Sequence, residues 1–229
     1  MKFPAMLLYV WFLWSFPAIA ATESYNQVDF SSEAERKVVN DLMSATLSIE
    51  INEPKPANIA KRINMMLNAE FKRAAAFGTV RVTSGNQSTY PVYGKNNLKI
   101  EGWRGHAELR LESQDFKSMG ELIAQMQEQM QLEGVHFSLA ADTRKQVENT
   151  LIGEAIDAFR KRANAVSAAM GGSGYKIVRM SINQGGTYPG PRPMMARAAL
   201  SDTAIPAPEF AGGESTIKVQ ISGTVEVIQ

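Results

Sequence analysis

The segment from Glu148 to Gly171 constrains this chain more than any other. Val147, Leu151, Ala155, Phe159, Ala163, Val166 and Met170 recur at spacings of three and four, which sets one residue per turn on a single buried face of a helix. Glu148, Glu154, Asp157, Lys161 and Asn164 fall largely on other faces. Such a stripe is stable against a second apolar layer, and its alanines let that layer come close. Gly171-Gly172-Ser173-Gly174 then stops the helix, because a left-handed C-terminal cap prefers glycine. Phosphate-binding glycine loops follow a strand and open a helix, so these four residues are read as a cap and not as a nucleotide cradle.

The layer opposite the helix comes from segments with period-two alternation. Tyr25 to Val39 carries mixed apolar and polar residues, and Asn40-Asp41 interrupts it before Ala45, Leu47, Ile49 and Ile51 alternate strictly. Val80 and Val82 begin another strand, with Tyr90, Val92 and Tyr93 beyond the polar Ser84-Gly85-Asn86 and a turn at Gly94-Lys95-Asn96-Asn97. On the return strand Leu98 and Ile100 share one parity, whereas Trp103, Ala107, Leu109 and Leu111 share the other. A bulge at Gly102 would turn both halves to one core face. Further strands are read at Val135-Phe137-Leu139, at Val178-Met180-Ile182, and at Ile217, Val219, Ile221, Val225 and Val227. Two more helices are expected. One follows Glu53-Pro54-Lys55-Pro56 and carries Ile59, Ile63, Met66, Leu67, Phe71 and Ala74; the other is capped by Asp115 or Ser113 and carries Met119, Leu122, Ile123, Met126 and Met130.

Alternation of this kind predicts sheets with one face under helices and one more polar face. The fold class is therefore α+β, with largely antiparallel or mixed sheets and helices packed on one face, not a doubly wound parallel sheet. The order of elements hints at two similar halves, although no residue-level repeat supports it.

Residues 1–20 read as an export signal, with Lys2, an apolar core from Phe3 to Phe16 and the small-residue site Ala18-Ile19-Ala20. The core falls short of the roughly 20 residues that span a bilayer, so no integral membrane span is expected after cleavage. Residues 21–229 then form the folded domain, with a Pro/Gly-rich loop at about 184–213. The chain has no cysteine, which excludes disulfides, thiol catalysis, thiolate metal ligands and lipid attachment at the cleavage site. Losing Lys2 takes Lys+Arg from 24 to 23 against 23 acidic groups, a formal net charge of zero. Neutrality argues against a nucleic-acid partner and removes the repulsion that opposes self-association.

The residues that could carry chemistry each have a plainer reading. His106 and His136 both fall on the polar parity of their strands and read as surface histidines without a ligand-spaced partner. Glu108 lies two residues from His106 on the same face, and Arg104 precedes it; a catalytic pocket assembled from distant residues would use these three. Met194 and Met195, with Met180, could form a soft thioether site or scavenge oxidants, but packing suffices to explain them. Tyr188-Pro189-Gly190-Pro191-Arg192-Pro193 favours an extended conformation and is read as a stiff connector, with partner recognition as the alternative. Arg160-Lys161-Arg162 is read as a solvated helix face. No catalytic, cofactor-binding or metal residue is assigned, and no cofactor is expected.

Several separated pieces nevertheless carry a family pattern. They are Tyr90-Pro91-Val92-Tyr93, then Ile100-Glu101-Gly102-Trp103-Arg104-Gly105 with Leu109 and Leu111, then Glu148-Asn149-Thr150-Leu151 through Ala155-Ile156 and Arg162-Ala163, and Gly213-Glu214. In this order and spacing the chain resembles the SIMPL family of exported bacterial proteins. Many relatives carry a proline-aspartate pair between the first strands; here Asn40-Asp41 keeps the aspartate and lacks the proline. The resemblance implies an α+β domain in the periplasm or at the envelope, with roles in stress protection or protein interaction, and supplies no catalytic residues. The expectation is a non-enzymatic, periplasmic, envelope-associated protein acting as a homo-oligomer or through an envelope protein partner. The final strand, Thr216 to Ile228, is the expected edge for pairing. The alternatives are an enzyme with an unrecognised pocket and a methionine-based soft-metal or oxidant buffer.

Overall fold

Both ends of the folded chain lie in one sheet. A computed structural model describes residues 25–94, 99–185, 188–189 and 210–229. In chain order the elements are β1 (Gln27–Val39), β2 (Leu42–Glu53), α1 (Pro56–Ala74), β3 (Arg81–Tyr93), β4 (Ile100–Ser113), α2 (Phe116–Met126), β5 (Gln131–Ser138), α3 (Ala141–Ala169), β6 (Gly174–Gln184), the two-residue β7 (Tyr188–Pro189) and β8 (Glu214–Ile228). The first sheet has the order β1-β8-β6, with β7 also pairing β8; the second has the order β3-β4-β2-β5. All pairings are antiparallel, so the architecture is α+β. The sheets are not successive halves of the chain, because the terminal strands enclose the sequence of the inner sheet.

Each sheet buries one face under helices. Under α3, Leu151, Ala155, Phe159 and Ala163 meet Ile217, Val219, Ile221 and Val225 of β8, and Phe159 stacks on Phe30 with ring centroids 4.5 Å apart. Burying a large side chain of this kind contributes about 1.5–3 kcal/mol. Under α1 and α2, Ile59, Ile63, Leu67, Met119, Leu122 and Ile123 meet Leu47, Ile49, Leu109 and Leu111. A Cβ on Gly105 would lie 2.1 Å from Cγ2 of Ile59, so glycine there is what lets α1 approach β4.

Several boundaries differ from the sequence reading for identifiable reasons. The segment 27–39 is a full strand; its core parity includes Ser32 and Arg36, whose side chains are satisfied by α3 through Ser32 Oγ donating to Ala155 O and Arg36 pairing with Glu154. Helix α3 starts seven residues before Glu148, and Met170 is its half-exposed cap, not part of the buried stripe. Gly171 has φ +74° and donates to Ala168 O, while the Gly172 N–H reaches Ser167 O, the bonding of a Schellman cap. The bulge falls as expected beside Gly102, where Val92 faces Gly102 and Tyr93 faces Ile100, but Ile100 stays 43% exposed. Most consequentially, β8 is not an edge: β1 pairs along nearly its whole length and β6 and β7 occupy its other side.

Asn40 and Asp41 join the two sheets. The Asn40 N–H donates to Gly213 O at 3.0 Å, its Nδ2 donates to Gly212 O at 2.8 Å, and its Oδ1 accepts from Ser215 at 2.7 Å. Proline here would remove the first of these bonds, so asparagine replaces ring rigidity with a three-bond clasp. Asp41 accepts from the Ala140 N–H at 2.7 Å, from Thr143 Oγ1 at 2.5 Å and from Gln114 Nε2 at 3.0 Å. It thereby places a carboxylate at the positive end of α3. Burial pushes this carboxyl up, but the bonds from Thr143, the Ala140 N–H, its own backbone and Gln114 outweigh that and hold it below its ordinary value.

Residues 1–20 and most of the loop 184–213, including Met194 and Met195, lie outside the described residues. Among the described residues no helix is long and apolar enough to cross a membrane.

Candidate functional site

Alternation in β4 sends Ala107, Leu109 and Leu111 to the core and leaves Arg104, His106, Glu108 and Arg110 on the opposite face. Neighbouring strands then decide what each of these meets. Arg104 is engaged by Glu50 at 2.8 Å and by Asn52 Oδ1 at 3.0 Å. His106 Nε2 lies 3.2 Å from Glu108 Oε1. A bulge in β3 between Ser84 and Gln87 falls opposite Glu108, and the freed Asn86 N–H donates to Glu108 Oε2 at 3.3 Å. Arg110 stands 3.7 Å from the same oxygen. The His106 hydrogen bond, followed by the Asn86 N–H, holds the Glu108 carboxyl below its ordinary value.

A second bulge brings in a residue the sequence did not single out. Leu47 pairs with Leu132 and Thr46 with Gly134, so Glu133 is the extra residue of β5. Its carboxylate reaches over β2, and the ligand atoms of His106, Glu108 and Glu133 all lie within 4.8 Å of one another. His106 is therefore part-buried and partnered, not a free surface histidine. His136 is exposed, as expected.

The arrangement differs from a nucleophilic centre. Among the described residues no serine or threonine hydroxyl is hydrogen-bonded to His106. Two surface depressions also lack a nucleophile-base pair. One of about 410 Å³ is lined by Ser31, Ser32, Glu33, Ala158 and Arg162 beside β1. The other, of about 340 Å³, lies by Glu53, Glu101, Trp103 and Arg104. Arg160, Lys161 and Arg162 are exposed, and Arg162 also donates to Ser31 O at 2.6 Å. Met180 packs part-buried on the first sheet's core.

The fold and the sequence pieces meet in one comparison: the SIMPL model, described as a protein of unknown function (DUF541), matches residues 28–225. The chain belongs to the SIMPL family. That match runs from the start of β1 into β8, so the SIMPL unit takes in both sheets. No curated protein matches the chain. Of the SIMPL-like pieces read in the sequence, Gly105 admits α1, the Ala155 and Ala163 positions admit the sheet, and Gly213 closes on Asn40.

Proposed function

We propose that the protein is a non-enzymatic, exported envelope protein that acts by self-association, with the outer edge of β6 as its principal contact. The observation that carries this reading is the surface of β6. Ile177, Val178 and Ile182 are 44%, 51% and 45% exposed, on a strand whose outer side has no pairing partner among the described residues. An edge of this kind presents backbone donors and acceptors together with apolar area, which is what a strand from another copy requires.

Charge favours a particular partner for that edge. Asp29, Glu33 and Glu35 lie on β1, at the opposite border of the same sheet, and outnumber its Arg36 and Lys37, whereas β6 carries Lys176 and Arg179 and no acid. A second copy offering β1 to β6 brings acid to base and extends the sheet head to tail, with the depression beside Ser31 and Arg162 at the junction. Export is part of this reading on the signal pattern in residues 1–20, and a role in envelope stress protection is proposed with it on the resemblance alone.

Sedimentation velocity on the purified protein tests this directly. The wild type is expected as an assembly, and Ile177→Lys with Ile182→Lys as a folded monomer. A wild type that remains monomeric, or an assembly that survives both substitutions, overturns the proposal.

A further inference from the structure

We propose that His106, Glu108 and Glu133 form a binding site for a borderline divalent cation of the Zn²⁺ class, on the face of the second sheet turned away from α1 and α2. Imidazole nitrogen and carboxylate oxygen are the donors such a cation takes when no thiolate is present, and this chain has no cysteine. The spacing fits the ion. Two ligands bound at about 2.0–2.1 Å in a tetrahedral arrangement stand about 3.3 Å apart, and His106 Nε2 and Glu108 Oε1 stand 3.2 Å apart. Glu133 lies within the 4.8 Å envelope of the three donor atoms, so a small side-chain rotation closes the third bond. Three protein donors leave a fourth position open.

The surroundings orient the ligands. Glu108 Oε2 is held by the Asn86 N–H and faced by Arg110, which leaves Oε1 turned to His106. Both flanking bulges serve this geometry, since one frees the Asn86 N–H and the other lifts Glu133 across β2.

A second observation comes from Ser48. It lies on the same face of β2, paired with Glu108 on one side and Gln131 on the other, is only 7% exposed, and its hydroxyl makes no hydrogen bond to the described residues. That hydroxyl is available to a water held at the cation's open position, and the cation neutralises the two converging carboxylates.

The test uses the untagged protein and Zn²⁺ alone, followed by calorimetry and by imidazole NMR. One equivalent is expected to bind, shifting the ring signals of His106 and leaving those of His136 in place. His106→Ala and Glu133→Gln should each weaken binding at least by the roughly 10–100-fold that loss of an outer partner costs, whereas His136→Ala should not. Absence of binding, a shift confined to His136, or affinity unchanged in both His106→Ala and Glu133→Gln overturns the site and leaves a plain His106–Glu108 hydrogen bond. The NMR readout on wild type decides the matter even where a substituted chain fails to fold.

Discussion

Replacing Glu70 by methionine should stabilise the protein. Glu70 sits on the buried stripe of α1 with Ile63, Leu67 and Ala74, and is 1% exposed. Neither carboxylate oxygen makes a hydrogen bond; Arg73 Nε stands 3.2 Å from Oε2 without hydrogen-bonding geometry and is itself shared with Glu128. Desolvation pushes the Glu70 carboxyl up, Arg73 partly opposes it, and Glu128 adds to it. Replacing a whole buried ion pair by apolar side chains is often neutral or gains about 1–4 kcal/mol, whereas removing one partner is costly only where the other charge stays buried. Arg73 is still part-exposed and recovers its solvation, which favours a gain of about 2 kcal/mol, or about 4–8 °C in Tm for a chain of this size. Methionine keeps the length of the side chain and the helix propensity.

The pH dependence gives this prediction a second signature. The native carboxyl lies above its unfolded value, so the folded state binds more protons in the interval between the two. The cost of Glu70 is fully present above the raised native value and is relieved as pH falls toward the unfolded one. Urea unfolding followed by circular dichroism, at fixed protein concentration, should show Glu70→Met more stable at neutral pH, with the advantage shrinking through that interval. A destabilised Glu70→Met, or a constant difference from wild type across it, would refute the reasoning.

The joint between the sheets carries two further predictions. Asn40→Pro loses all three bonds of the clasp and should cost about 1.5–4.5 kcal/mol in urea unfolding, at about 0.5–1.5 kcal/mol per bond; an unchanged midpoint would mean that the clasp is not holding the joint. Asp41→Asn tests the opposite pH sign. Its carboxyl lies below the unfolded value, so its stabilisation is present above the unfolded value and lost as pH falls through the native one. Wild type should therefore lose stability in that acid range and Asp41→Asn should lose less, as read from thermal unfolding at successive pH values.

Periodicity in the sequence carried much of this fold. The alternation of β2, of β4 from Ala107 to Leu111 and of β8, and the centre of the α3 stripe from Leu151 to Ala163, survive in the core, because each depends only on local spacing and burial. What local spacing does not hold is partnership. The clean pattern of β8 looked like a free edge, yet it is central because β1 and β6 return to it from distant parts of the chain. Strand β1 was hidden by Ser32 and Arg36, whose polarity is met only by α3, and the start of α3 by its external cap, since Asp41 serves it while Ala140 offers no side-chain bond. The site follows the same division. The pairing of His106 with Glu108 was visible as strand parity, whereas Glu133 needed a bulge at Leu132–Gly134 and a crossing over β2. Glutamate next to glycine in a short strand was the one available signal.

Amide hydrogen exchange at high and low protein concentration reads association through the borders of the first sheet strand by strand. Concentration-dependent protection is expected in 174–184 of β6 and 27–39 of β1, with the β3 and β5 borders of the second sheet unchanged. Exchange that is independent of concentration, or protection that grows at β3 or β5 instead, would contradict it.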